Sequence, residues 1–530
     1  MPRNSYLIAL CLAALSCGKQ QNAHYKPTSQ VLRFNLHSEP PTLDPRKATD
    51  TVSASILNLC FEGLTRIDAQ GEPILAAAEK MTLSYDKTRY TFTLRDAHWS
   101  DGRPVTAQDF EKSWKTLLDP TFACEFASDL YIIKNARAVK SGRCSRDELG
   151  VRSLDEKTLQ VDLEHPVPYF LAALATHRFF PTPEHVTSAY SNWTEEQYVG
   201  NGPFFMKQWR HHDLIELEKS PQYWDRQAVK LEKVHLTLVE DEMTELNMFE
   251  QGELDWAGYP LSNLPTEALA ALQREGGLHT YSIAGTYFYM FNTQAFPFTN
   301  CNMRRAFSLA IDREAIVSNV TQMGQLPATG LVPQALWKRE ISYFADHDLV
   351  EARRLFALGL EELGVAAEEL SGLTLSYNTH VGHHKIAQAI QEQWNKAFGI
   401  KVKLENKEWK VFLDSLCHHQ FQIARMGGLA DVHDPIAFLD FFRYLSSSTN
   451  HSQWSAPQFT ELLEKADVTV DPEKRISLLQ AAEKILIDAM PVAPIYFYSG
   501  TYLKKPYVKG IHLSDLNTLD LKEAYVELND

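Results

Sequence analysis

The stretch RMGGLADVHDP, residues 425 to 435, sets an arginine and an aspartate six residues apart around two glycines. Asp431 presents a carboxylate and Arg425 a guanidinium that could grip a carboxylate by two parallel bonds. Gly-Gly and Asp-Pro are also ordinary turn signals, so these residues alone leave a connecting loop and a ligand-holding loop both open. Histidines pair at His211-His212, His383-His384 and His418-His419, with His380 near the second pair. The run THVGHHK could offer two imidazoles to a metal. Adjacent loop histidines more often point opposite ways and are solvated, and no metal site is assigned. The local signatures G-x-S-x-G, G-x-x-x-x-G-K-[ST], G-x-G-x-x-G and H-E-x-x-H are all missing. A triad need not be local in sequence, but the enzyme reading starts with no positive feature and no cofactor is implied.

The bulk numbers narrow the classes further. A chain of 530 residues is too long for one core, so two or three domains are expected. Hydrophobic residues at 44% and charged residues at 22% describe an ordinary globular protein. Acidic side chains outnumber basic ones 67 to 52, a net charge of -15, and basic residues fall only in scattered pairs such as Arg304-Arg305. Nucleic acid is therefore excluded as an expected partner, because phosphate binding needs clustered Lys and Arg.

The first residues, MPRNSYLIALCLAALSCGKQ, carry one Arg, an apolar run from Tyr6 to Leu15, and small Ser16 before Cys17. That is the layout of a secretory signal, too short to span a bilayer as a mature helix. Its end resembles a bacterial lipoprotein signal, with Leu15 one place nearer the cysteine than usual. Residues 1–17 are taken as the signal, Cys17 as the lipidated residue, and 18–30 as a polar tether. Five cysteines follow, Cys60, Cys124, Cys144, Cys301 and Cys417, without a C-x-x-C pair. They fit neither zinc nor a dense disulfide set, and one bridge between Cys124 and Cys144 is left open.

Strand and helix signals alternate along the chain. YTFTLRDAHW (90–99) places Tyr90, Phe92 and Leu94 on one face, as in a half-buried strand. SDGRP turns the chain, and VTAQDFEKSWKTLL opens a helix with Thr106 as cap and Asp109 three residues later. TLQVDLEHPVPYF (158–170) predicts a strand closed by prolines, and NMRRAFSLAIDREAIVSNV (302–320) one amphipathic helix. LTLSYN (373–378) and IKVKLEN (400–406) are strands around the helix KIAQAIQEQWNKAFG. RISLLQAAEKILIDAM leads as a helix through PVAPI into the aromatic strand YFYSGTYL. Mixed throughout, these elements predict an α/β fold.

Four of the segments, FEGLTRID (61–68), HWSDGRPVTAQDFEKSW (98–114), GNGPFF (200–205) and NMRRAFSLAIDREAI (302–316), resemble hallmark segments of the large solute-binding proteins of ABC peptide importers. The likeness runs in order from about Val31 to the C-terminus and includes NKEWKVFLDS (406–415) and PVAPIYFY (491–498). It implies an α/β periplasmic-binding-protein-like fold, with two main lobes, a hinge and an inserted third domain. On this chain one lobe would take 24–60, 181–282 and 498–530, the inserted domain 61–180, and the other lobe 283–497. Hinges would lie near IAGTY and PIYFY. The implied partners are an oligopeptide and ABC permease subunits in the inner membrane. The implied location is the periplasm or cell envelope of a bacterium, held by the N-terminal lipid, with the chain as a monomer.

A peptide of arbitrary sequence can be held only through its backbone and charged ends. The resemblance implies that Gly427, Gly428 and Leu429 supply a backbone edge on one lobe, and Thr49, Asp50 and Thr51 another. Asp431 matches the aspartate that pairs with the ligand's α-amino group. Arg425 and His383 match cations for the carboxylate end, and Trp409 a cleft-lining tryptophan. The chain departs from the family pattern where Phe126 replaces a tyrosine, Gly428 a tryptophan, Asn319 a lysine and Thr49 an acidic group. A cysteine pair of relatives is also missing, with Leu429 at one of its positions. A narrower ligand such as a murein peptide, a non-peptide solute such as nickel or haem, and an exported hydrolase are the alternatives.

Overall fold

The computed structural model describes residues 28–528 except 125, 338, 446 and 448. The signal, Cys17 and most of the tether lie outside the described residues.

Three sheets organise the chain. The first joins Val31–Asn35, Lys233–Thr237, Leu214–Lys219 and Phe204–Arg210 in that order, its first pair parallel and the others antiparallel. The second is antiparallel and joins Ala78–Leu83, Arg89–Leu94, Thr158–Asp162 and Val151–Ser153. The largest runs Trp256–Gly258, Val492–Lys504, His279–Phe291, Ile423–Leu429, Thr374–Asn378 and Lys403–Lys407, with Leu326–Pro327 attached to Val492–Lys504. Helices cover these sheets, as α/β chains require to bury both strand faces.

One hydrophobic core binds the first two sheets, from Leu32 through Phe61, Trp99, Phe180 and Trp193 to Val526. The rings of Phe61, Trp99, Phe180, Trp193 and Tyr198 meet there at 5.7–6.5 Å. Segment 61–180 thus packs into the same core as the first sheet. A second core runs from Ala284 to Tyr496 behind the largest sheet, and a small third one lies around Leu246, Leu269 and Leu503.

The two long strands His279–Phe291 and Val492–Lys504 cross between the cores. Their pairing breaks inside IAGTY: Ser282 faces Ser499, and the next paired residues are Thr286 and Phe497. Ala284 is released to other partners, donating to Asp515 O at 2.7 Å and accepting from Ala430 N at 2.8 Å.

Local signals explain much of this. Tyr90, Phe92 and Leu94 are buried on alternate positions of Arg89–Leu94, and the helix Ala107–Leu117 starts after Thr106. The Asp109 carboxylate accepts from the Thr106 N–H at 2.9 Å and the Trp99 indole at 3.2 Å. The single helix expected over 302–320 is instead broken. Cys301–Leu309 ends at Ala310, Arg313–Ile316 begins again, and Val317–Thr321 is wound more loosely. Asp312 causes the restart, because its side chain accepts from Ala315 N at 2.8 Å and so caps the second helix. All five described cysteines are free, Cys124 and Cys144 included.

Candidate functional site

The strand Ile423–Leu429 lies inside the largest sheet yet has an open side. It pairs along its whole length with His279–Phe291, from Phe291 opposite Ile423 to Gly285 opposite Leu429. On the other side Thr374–Asn378 meets it only at Ile423 and Ala424. Past Asn378 that neighbour turns away into the helix Val381–Phe398, whose start is capped by His380 accepting from Gly382 N at 3.1 Å. From Arg425 to Leu429, therefore, no described strand pairs with the second edge. An open edge with polar backbone is a template for an added strand.

The glycines in this edge have a reason besides ligand approach. A Cβ on Gly427 would stand 2.4 Å from the Tyr498 hydroxyl, so that position is kept bare by a side chain of the crossing strand. A Cβ on Gly428 would meet the Phe441 ring at 3.2 Å. Leu429 is 44% exposed at the strand end.

Asp431 follows this edge. Its side chain is 62% exposed, and it lies 3.5 Å from Arg178 Nη1. The turn is capped by another residue: Asp434 accepts from Ile436 N at 2.9 Å and from both Arg475 Nη atoms at 2.6 and 3.0 Å. Asp431 is thereby left to face the opposing wall. Asp431 and Arg178 line one cavity of about 240 Å³, together with Thr49, Asp50, Thr51 and Leu429.

The opposing wall differs from the expected extended edge at 49–51. Asp50 caps the helix Thr51–Cys60 by accepting from Ser53 N at 2.8 Å, so Thr51 is already helical. Extended backbone on this wall ends at Asp50, and the second carboxylate oxygen of Asp50 is buried without a partner among the described residues. Thr49 is exposed beside it. His177 holds the preceding backbone through Ala48 O at 3.2 Å, and burial with the neighbouring Arg178 charge pushes its imidazole down to about 4. Arg178 pairs with Asp129 at 2.7 Å and lies 4.3 Å from the centre of the Phe126 ring.

Arg425 sits at the other end of the open edge. Its guanidinium lies 4.8 Å from the centre of the Tyr287 ring and makes long contacts to Asn378 Oδ1 at 3.3 Å and Tyr498 OH at 3.4 Å. Among the described residues no carboxylate pairs with it, and its Nε is buried without a partner. His383 is close, its Nδ1 at 3.3 Å from Tyr287 OH, and burial together with Arg425 and His380 pushes its imidazole down to about 3. His384 turns to Tyr377 OH at 2.6 Å instead. The cluster is one guanidinium and neutral imidazoles among tyrosines, a setting that receives an anion.

Two expected residues stand apart. Trp409 opens the helix Trp409–Cys417, is 46% exposed, and stacks with Phe412 at 6.2 Å, outside the cavity lining. It is therefore not a core residue. Asn319 is exposed on the loosened turn and its amide donates to Ala315 O at 3.0 Å. Sequence reasoning missed Arg178 and Asp129, neither of which belongs to a local motif, and it gave Tyr498, the last residue of PVAPIYFY, no role at the site. An arginine amid aromatics in THRFF was the one available hint.

Among the described residues no group of three His, Cys, Asp or Glu could hold a metal ion, and no helix is long and apolar enough to cross a membrane.

Comparison with known proteins now adds to the geometry. The profile of the family described as "Bacterial extracellular solute-binding proteins, family 5 Middle" matches residues 72–450. The oligopeptide-binding protein OppA of Bacillus subtilis is 44% identical over 503 residues, covering 93% of this chain and 92% of that protein. The unliganded open form of the periplasmic murein tripeptide-binding protein MppA superposes with a TM-score of 0.80 at 32% identity, over 94% of this chain and 98% of the other. OppA of Haemophilus influenzae in complex with RPPGFSPFR gives 0.76 at 30%, over 94% and 99%. The α/β fold is that of periplasmic peptide-binding proteins, and the chain belongs to the bacterial extracellular solute-binding proteins of family 5.

Proposed function

We propose that this protein is the solute-binding component of an ABC peptide importer, capturing oligopeptides between its two walls and delivering them unaltered to the permease. The observation that carries this reading is the open edge at Arg425–Leu429, bounded by an exposed carboxylate, Asp431, and by a carboxylate-free cation, Arg425. An extended peptide adds to that edge by main-chain bonds that do not depend on its sequence. Its ammonium goes to Asp431 and its carboxylate towards Arg425 and His383. The bulged crossing of His279–Phe291 with Val492–Lys504 is where the lobes hinge, since few ladder bonds must change there.

In this reading the three parts are 24–60 with 181–282 and 498–530, then 61–180, then 283–497. The protein acts as a monomer in the cell envelope, held by lipid on Cys17. A murein peptide is the second reading, raised by the presence of a murein tripeptide-binding protein among the similar structures.

Isothermal titration with mixed tri- to pentapeptides and, separately, a murein tripeptide tests both. Heat with the mixed peptides is expected. Silence there with tight murein tripeptide binding would replace the broad reading by the narrow one, and silence with both would end the peptide reading.

A further inference from the structure

The wall facing Asp431 carries charges that the peptide-edge reading leaves unused. Arg178 Nη1 stands between two carboxylates, 2.7 Å from Asp129 Oδ2 and 3.5 Å from Asp431 Oδ1. Asp129 belongs to the short helix Ala127–Ile132 and Asp431 to the loop after the open edge, so one nitrogen touches acids from both walls. The arginine is held in place: its side chain is only 10% exposed, and its guanidinium lies against the Phe126 ring. Among the described residues its buried Nε has no hydrogen-bond partner. Arg178, Asp50 and Asp431 line the same cavity, where one buried Asp50 oxygen has no donor among the described residues.

The charges count simply. Among the described residues paired with Arg178, two carboxylates face one guanidinium, and the one excess negative charge is what an ammonium would neutralise. Like carboxylates this near repel unless a cation lies between them. Arg178 serves that need from the side while leaving Asp431 mostly exposed.

We propose that the amino end of the ligand is held by two carboxylates, Asp129 from one wall and Asp431 from the other, with Arg178 as the fixed cation that sets their spacing. Phe126 contributes only the face on which Arg178 rests, which needs a ring and no hydroxyl. Asp129 is thus a specificity-determining residue, because an ammonium held from both walls rewards closure, whereas a blocked amino end leaves one of the two negative charges around Arg178 uncompensated. This rests on the peptide reading above.

The test titrates the full chain with one tetrapeptide in two forms, with a free amino end and N-acetylated. Asp129→Asn is expected to weaken the free form by about tenfold or more and the acetylated form by less than about threefold. Asp129→Glu keeps the charge and is expected to retain most of the discrimination, which separates charge from folding. Arg178→Met, by leaving the two acids face to face, is expected to widen the gap between the free and acetylated forms. If Asp129→Asn binds the free peptide within about twofold of wild type while Asp431→Asn loses it, the second carboxylate is overturned and the peptide reading stands. Equal losses for both peptide forms, or equal losses in Asp129→Glu and Asp129→Asn, overturn it as well. If the wild-type protein binds neither form, the inference falls together with the function on which it rests.

Discussion

His433 Nε2 lies 2.7 Å from Asp515 Oδ2, and this contact ties the loop that carries Asp431 to the C-terminal segment. The main chain of the same segment holds Ala284, and Ala284 in turn holds Ala430. The loop is therefore set in place by the C-terminal segment. Removing a charge-assisted bond of this kind costs about 1.5–3 kcal/mol. Asp515→Asn is expected to lower the melting temperature by a few degrees and to weaken peptide binding, because Asp431 loses its support. A variant with lowered melting temperature and unchanged binding would show that the pair is structural only.

Asp431 and Asp434 are three residues apart and have opposite duties. Asp434 is 10% exposed and doubly bonded to Arg475, itself 5% exposed. Its loss strands a buried guanidinium, at roughly 3–5 kcal/mol. Asp434→Ala should unfold at markedly lower denaturant concentration, whereas Asp431→Ala should unfold like wild type and lose about 30-fold to several-thousand-fold in peptide affinity. Denaturant titration of the two variants side by side checks this.

Gly427 is kept small by Tyr498. Gly427→Ala sets a methyl 2.4 Å from the Tyr498 hydroxyl, an overpacking that costs about 1–3 kcal/mol. Adding Tyr498→Phe removes the clashing oxygen and should restore part of the stability, read by thermal unfolding. Equal destabilisation in single and double variants would place the strain elsewhere.

Burial, opposed by Arg178 and aided by Asp431, pushes the Asp129 carboxyl up to about 6. The folded protein thus holds this proton more tightly than the unfolded chain. Stability from this group is present below the unfolded value, near pH 4, and is lost as pH rises towards 6. Ligand binding has the opposite sign, since an ammonium seeks the ionised acid. Peptide affinity should fall by about tenfold between roughly pH 7 and pH 5, and Asp129→Asn should flatten that fall. Calorimetry across this range decides it.

How far the sequence carried these conclusions depends on how local each cause is. The strand, turn and helix from Arg89 to Leu117 were legible because alternation, Asp-Gly and the Thr106 cap act within a few residues. The break at Asp312 was not. Arg313 is fully buried against Pro494 O at 2.6 Å, Ser308 Oγ at 3.0 Å and Asp346 Oδ1 at 3.1 Å, and the helical period carries no trace of those partners. Asp431 and Arg425 could be named from the resemblance of their segment. Arg178 and Asp129 could not, since their meeting with Asp431 is made by the fold. Asp50 keeps an extended backbone while its side chain caps the helix Thr51–Cys60, a cap signalled by an aspartate before an apolar helical run.

In the proposed function a peptide's backbone joins the open edge at Arg425–Leu429. Hydrogen exchange of individual amides in that strand, with and without a bound tetrapeptide, tests it most directly. Amides facing away from His279–Phe291 are expected to become protected by about tenfold or more when peptide is present, while those already paired change little. Tight peptide binding with no change in those outward amides would contradict it.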